Sequence, residues 1–139
     1  MIDFSLYLIT DRNQTAGRPL FDVVEAALEG GVRAVQLREK DLPTAELYDL
    51  AWEMRALTSR YDARLLINER IDVALAVEAD GVQLGINSLP VTAARRIAPD
   101  LLIGYSSHGV GEAAAAIAKG ADFVTFGPIF HTPSKAAYG

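Results

Sequence analysis

The stretch Ala34-Val-Gln-Leu-Arg-Glu-Lys40 carries the densest chemistry in the chain. It reads as a β-strand running out of a buried sheet into a loop. Side chains alternate along a strand, which puts Gln36, Arg38 and Lys40 on one face and Val35 and Leu37 on the other. An amide, a guanidinium and an ammonium are poor core material but good ligands for an oxyanion. Val35 and Leu37 suit packing against helices. The C-terminal end of a parallel strand is where enzymes built on such sheets place ligand groups. The plain alternative is a solvated strand end, and the number of similar strand ends that follow weighs against it.

The elements that must position these residues follow from hydrophobic periodicity. Residues 6–10 form a short β-branched and aromatic run, stopped by Asp11-Arg-Asn-Gln14. After Pro19, Leu20, Val23, Val24, Ala27 and Leu28 recur at helical spacing until Gly30-Gly31 ends the helix. A longer amphipathic helix covers 44–60 with Leu47, Leu50, Ala51, Met54 and Leu57 inward, and Trp52 reads as packing. Strands are expected at 64–68, 81–85, 101–105 and 123–127, with helices at 71–77, 90–97 and 112–119.

Strands alternating with helices imply a parallel sheet of right-handed βαβ units. The chain also echoes itself. Gly30-Gly-Val-Arg-Ala-Val35, Glu78-Ala-Asp-Gly-Val82 and Lys119-Gly-Ala-Asp-Phe-Val124 each set a small, acidic or basic turn before an apolar strand. Units of this size suit an α/β architecture of the (β/α)8 TIM-barrel type, in one domain over 1–139. No Gly-x-Gly-x-x-Gly follows the first strand, which weakens a dinucleotide-binding reading. Only about six βα units are present, whereas a complete barrel takes about 200 residues or more. The barrel is therefore expected to be incomplete at its C-terminus, where 135–139 reads as loop, with two sheet edges that must be covered.

With 139 residues and a net charge of −5, nucleic acid and anionic membrane are poor partners, so an anion site must be a local cationic cluster. The absence of cysteine excludes disulfides and thiolate metal sites and fits a cytoplasmic protein. The start, Met1-Ile2-Asp3, lacks a basic leader and a long apolar run, so a secretory signal or membrane span is not expected.

Taken as one rim, the strand ends collect Thr10, Asp11, Gln36, Arg38, Lys40, Asn68, Glu69, Gln83, Ser106, Ser107, His108, Thr132, Ser134 and Lys135. Such a set can hold a phosphate or diphosphate through charge-assisted and neutral hydrogen bonds. Each member also has a structural reading: Asn68 as a helix cap, Thr125 as core, His108 as a loop histidine. His108, with His131 in the last loop, is a candidate proton carrier. A Mg²⁺ site reads poorly, because Glu69 supplies one carboxylate and the loop Gly85-Ile-Asn-Ser88 supplies none. Asp72 and Asp80 read as helix-start and turn residues.

Six motifs run in order over nearly the whole chain: Tyr7-Leu-Ile-Thr-Asp11, Gln36-Leu-Arg-Glu-Lys40, Leu66-Ile-Asn-Glu-Arg-Ile-Asp-Val-Ala-Leu75, Ala79-Asp-Gly-Val-Gln-Leu-Gly85, Ile103-Gly-Tyr-Ser-Ser-His108 and Gly120-Ala-Asp-Phe-Val-Thr-Phe-Gly-Pro-Ile-Phe130 with Thr132-Pro-Ser-Lys135. They resemble those of thiamine phosphate synthase and its TenI-type relatives. The resemblance implies a (β/α)8 barrel whose last quarter, with glycine-rich phosphate loops, is absent here. It implies an enzyme of thiamine biosynthesis acting on a thiazole phosphate.

In the synthase a pyrimidine diphosphate ionises and the thiazole nitrogen captures the cation. By resemblance, Gln36, Arg38, Lys40, Asn68, Ser107, Thr132, Ser134 and Lys135 would stabilise the departing diphosphate, with Mg²⁺ as cofactor. The synthase pattern, however, has Asp after the strand-three Asn and a Gly-Gln-x-Asp turn after strand four. Here those carboxylate positions hold Glu69 and Ser88, and Gln83 stands at the usual histidine. The TenI-type branch is similar in its Gln and in lacking the carboxylate pair. Its thiazole tautomerase moves a proton, with no metal, and by resemblance His108 would carry it. Lys40 and Lys135 suit a diphosphate and speak against that branch. The tautomerase is the expectation, with the synthase as its alternative and a non-catalytic phosphate-ligand binder as the reading of another class. A homo-oligomer is left open.

Overall fold

The computed structural model describes residues 2–126. Six strands form one parallel sheet in chain order: β1 (Leu8–Ile9), β2 (Ala34–Leu37), β3 (Arg64–Asn68), β4 (Gly81–Leu84), β5 (Leu102–Ser107) and β6 (Phe123–Phe126). Between them run α1 (Leu20–Glu29), α2 (Thr44–Arg60), α3 (Ile71–Ala76), α4 (Val91–Ile97) and α5 (Val110–Ala118), with a 3-10 turn at Arg12–Gln14. The first strand is shorter than its apolar run suggested, and β5 runs on to Ser107 because Ser106 and Ser107 pair with Thr125 and Phe126. Pairing with a neighbour sets these limits, and hydrophobicity alone does not.

Alternation sorts the strand residues onto two faces. Leu8, Val35, Leu37, Leu65, Ile67, Val82, Leu84, Ile103 and Val124 belong to one core with Val24 and Leu28 of α1, Ala51 and Met54 of α2, Val73 of α3 and Ala94 of α4. Burying each Leu or Ile there contributes about 1.5–3 kcal/mol. The opposite face carries Gln36, Leu66, Asn68, Gln83 and Gly104, with Asn68, Gln83, Gly104 and Phe123 in register across β3 to β6. The sheet curls around this inner face. Tyr7, just before β1, meets Phe123 of β6 edge-on with ring centroids 5.8 Å apart, and Phe4 meets the same ring at 5.8 Å. The result is a half-barrel in which the described residues leave β1 and β6 each paired on one side only.

The helix ends explain the internal echo. Backbone bonds Val32→Ala27, Ala63→Thr58, Ala79→Ala74 and Ala121→Ala116, at 2.9–3.1 Å, close α1, α2, α3 and α5 in the same way. Each closure has a left-handed residue in it: Gly31, Asp62, Glu78 and Gly120, with φ of 111°, 53°, 55° and 116°. The chain is thereby turned straight into the next strand. Three helices, α1, α2 and α4, follow Pro19, Pro43 and Pro90 directly, where a missing N–H leaves no intrahelical bond unmade.

Trp52 is not packed in the core. It is 52 % exposed and stacks on Tyr48 one helical turn away, centroids 6.4 Å apart. Its position on α2 places it on the solvent side of the stripe formed by Leu47, Ala51 and Met54.

Candidate functional site

Strand β2 ends at Leu37, so alternation does not carry through to Lys40. Local hydrogen bonds take over. The Arg38 N–H donates to Thr10 Oγ1 at 3.0 Å, and that hydroxyl donates to Glu39 Oε2 at 2.6 Å. Glu39 is buried and also accepts from the Arg12 backbone N–H at 2.9 Å and its guanidinium at 3.1 Å. Arg12 clamps Asp41 with two further bonds, which hold the Asp41 carboxyl below its usual range. With Glu39 turned inward, its neighbours Arg38 and Lys40 reach the mouth of the half-barrel. Sequence reading missed Glu39 as this anchor. Thr10 belongs to the same anchor, and Asp11 accepts from Asn13 and Gln14 of the 3-10 turn, so neither lines the mouth.

A cleft of about 250 Å³ opens at the C-terminal ends of the strands. Gln36, Arg38, Lys40, Asn68, Glu69, Ser106, Ser107, His108 and Thr125 line it, together with Ile86 and Asn87 of the loop after β4. Arg38 and Lys40 form no ion pair with any described residue. Asn68 does not cap α3, whose first turn has no side-chain cap. Thr125 is a lining residue as well as part of the sheet's inner face. Thr132, Ser134 and Lys135, with His131, lie outside the described residues.

Gln83 lies under the cleft and does not line it. At 1 % exposure its amide is wholly engaged: Oε1 accepts from the Tyr7 hydroxyl at 3.0 Å, and Nε2 donates to Ser106 at 3.0 Å and Thr125 at 3.3 Å. Gln36 donates to the same Tyr7 hydroxyl at 3.3 Å. These bonds tie β1's approach, β2, β4, β5 and β6 into one polar floor. Burial pushes the Tyr7 phenol up, which keeps it neutral and able to donate. Tyr7 was invisible as a site residue in sequence, because a tyrosine before a strand looks like core. Ser107 donates to the Gly109 carbonyl at 2.7 Å and accepts from its N–H at 3.2 Å, so its proton is already used locally.

His108 stands at the cleft edge with its Nδ1 3.9 Å from Glu112 Oε1, one turn along. Burial, then the Glu112 charge, raises the Tyr105 phenol beside it. The carboxylate on the cleft wall is Glu69, whose left-handed backbone (φ 63°) turns the chain from β3 into α3. Such a conformation in a non-glycine residue costs about 1–2 kcal/mol and is common at functional sites. Ser88 Oγ donates to Glu69 Oε1 at 3.2 Å and accepts from the Gly85 N–H at 2.9 Å. Among the described residues no three His, Asp or Glu side chains converge on one point. One hydrogen-bonded carboxylate is a poor match for a resident Mg²⁺, which takes carboxylate oxygens as well as phosphate.

A larger cavity, about 470 Å³, lies at the other end of the strands between Arg64, Asp80, Ile97 and Leu101. Its one cation is already paired, Arg64 with Asp3 and Asp80. The cleft at the mouth is lined by Arg38 and Lys40, two cations with no ion-pair partner among the described residues. No helix among the described residues is long and apolar enough to cross a membrane.

The family model described as thiamine monophosphate synthase matches residues 6–138. A Geobacter sulfurreducens protein provisionally named thiamine-phosphate synthase is 63 % identical over 139 residues, covering 99 % of this chain and 65 % of its own. The thiamine-phosphate synthase of Caldanaerobacter subterraneus is 45 % identical, covering 96 % of this chain and 63 % of its own. The solved structure of thiamine phosphate pyrophosphorylase from Pyrococcus furiosus superposes with a TM-score of 0.87 at 46 % identity, over 93 % of this chain and 62 % of that one. The chain thus spans about two thirds of the length of these relatives. Its six-stranded half-barrel is the corresponding part of their α/β fold, and the chain belongs to the thiamine monophosphate synthase family.

Proposed function

We propose that this chain carries the diphosphate-gripping part of a thiamine-phosphate synthase, an enzyme that joins a pyrimidine diphosphate to a thiazole phosphate and releases diphosphate. The observation that carries the reading is the pair Arg38 and Lys40, open to the cleft beside Asn68 and Gln36. As the bond to the pyrimidine methylene breaks, negative charge grows on the departing diphosphate. A guanidinium and an ammonium lining the same cleft can meet that charge as it develops and so lower the barrier. Ser106 and Thr125, held by Gln83, give the floor neutral polar groups suited to a heterocycle edge. Thr132, Ser134 and Lys135 would add to the diphosphate grip. Mg²⁺, the cofactor of this reaction in the resemblance, finds a poor donor set here.

The sequence leaned toward the TenI-type tautomerase. The names of the relatives support the alternative, thiamine-phosphate synthase. The tautomerase keeps one observation in its favour, His108 beside Glu112 at the cleft edge. Incubation with pyrimidine diphosphate and thiazole phosphate, with and without Mg²⁺, followed by mass spectrometry, separates the readings. Thiamine phosphate formation supports the synthase. Aromatisation of a carboxythiazole phosphate, abolished in His108→Ala, would replace it with the tautomerase. Ligand affinity without any turnover would leave a binding protein. The reading places the protein in the cytoplasm, where these phosphorylated substrates are held.

A further inference from the structure

We infer that the cleft grips its anion without a resident divalent cation, because the Glu69–Ser88 hydrogen bond closes the ground such an ion would take. The inference rests on the reading of the cleft as a phosphate or diphosphate site and deepens it. A resident Mg²⁺ or Mn²⁺ needs several oxygen lone pairs facing one point. Glu69 is the carboxylate on the cleft wall, and Ser88 Oγ donates to its Oε1 at 3.2 Å. Ser88 in turn accepts from the Gly85 N–H at 2.9 Å, which fixes its proton on the carboxylate and leaves it one open lone pair. No third His, Asp or Glu approaches among the described residues. The positive charge comes instead from the chain. Arg38 and Lys40 line the same cleft, and neither is paired with a described carboxylate. Two side-chain cations can neutralise a diphosphate as a bound ion would, with the guanidinium adding directed hydrogen bonds.

The test uses the full chain, Mn²⁺ as the metal probe and inorganic pyrophosphate as the anion. Water-proton relaxation is expected to detect no protein-bound Mn²⁺ when no anion is present. Calorimetry is expected to give a pyrophosphate Kd in EDTA within about threefold of that in Mg²⁺. Ser88→Asp sets a second carboxylate against Glu69 and should create what is lacking. Bound Mn²⁺ then appears, and the variant's melting temperature rises when Mn²⁺ is added. Uptake of Mn²⁺ by the unmodified chain alone overturns the inference, as does pyrophosphate binding that is lost in EDTA and restored by Mg²⁺. Both of those measurements need no variant, so a misfolded Ser88→Asp does not weaken the test. Pyrophosphate that binds under neither condition removes the phosphate reading itself, which separates the two failures.

Discussion

The two ends of the sheet hold the same kinds of residue and use them in opposite ways. At the N-terminal end, Asp80 accepts from the Leu65 N–H at 2.8 Å and from Arg55 at 2.9 Å, and Arg64 reaches it at 3.4 Å. Asp122 repeats the arrangement two βα units later, accepting from the Ile103 N–H and from Arg95, both at 2.8 Å. Arg55 and Arg95 also donate to the carbonyls that end helices and open strands, Ala63 and Glu78 in one case, Leu101 and Gly120 in the other. The guanidiniums of Arg55, Arg64 and Arg95 each close something there. At the C-terminal end Arg38 and Lys40 close nothing among the described residues. Charge that is locked stabilises the fold, and charge left open is available to a ligand. Barrel folds separate these two duties between their ends.

Breaking the locked end should have the largest effect. Asp80→Ala strips acceptors from a strand N–H and two arginines at once, and is expected to lower stability by about 2–4 kcal/mol in chemical denaturation. A loss under about 1 kcal/mol would show the clasp to be incidental. The polar floor between the two ends comes next. A Cβ on Gly104 would collide with the Gln83 amide and the Phe123 ring, so Gly104→Ala should cost about 1–3 kcal/mol. It should also weaken any ligand contact that depends on Ser106 and Thr125, measured by calorimetry against pyrimidine diphosphate.

The open end gives the reverse pattern. Lys40→Ala should change stability by no more than about 0.5 kcal/mol, yet weaken pyrophosphate binding about tenfold, since a charged hydrogen bond is worth about 1.5–3 kcal/mol. Equal losses of stability and binding would erase the contrast between the ends.

The smallest effect is alkaline. Tyr7 has its phenol pKa raised by burial from the ordinary 10.0, so the folded state holds the proton longer than the unfolded chain does. That contribution is fully present below pH 10 and is lost progressively as pH rises beyond it. Melting temperature should therefore fall less steeply above pH 10 in Tyr7→Phe than in the unmodified chain.

Much of the framework was legible because its signals are local. Gly31 and Gly120 mark helix ends by their conformational freedom, whereas Asp62 and Glu78 play the same part with no such mark. Gln36, Arg38, Lys40 and Asn68 could be placed at one mouth once parallel strands were inferred, since parallel strands share a direction. Gln83 was placed there by the same rule and lies beneath it, because curling brings Tyr7, Ser106 and Thr125 within reach of its amide. Trp52 does pack, but at the surface, stacking on Tyr48 from the solvent side of α2.

The sequence by itself determined the alternation of strands and helices, the outward core, the family and the cationic run that follows β2, because periodicity and motif are properties of neighbouring residues. The tertiary structure alone decided which polar groups remain open. Glu39 turning inward, Ser88 meeting Glu69, and Tyr7 holding Gln83 join residues far apart in the chain. Hydrogen-bond satisfaction at such junctions depends on how far the sheet curls, and no local pattern records that.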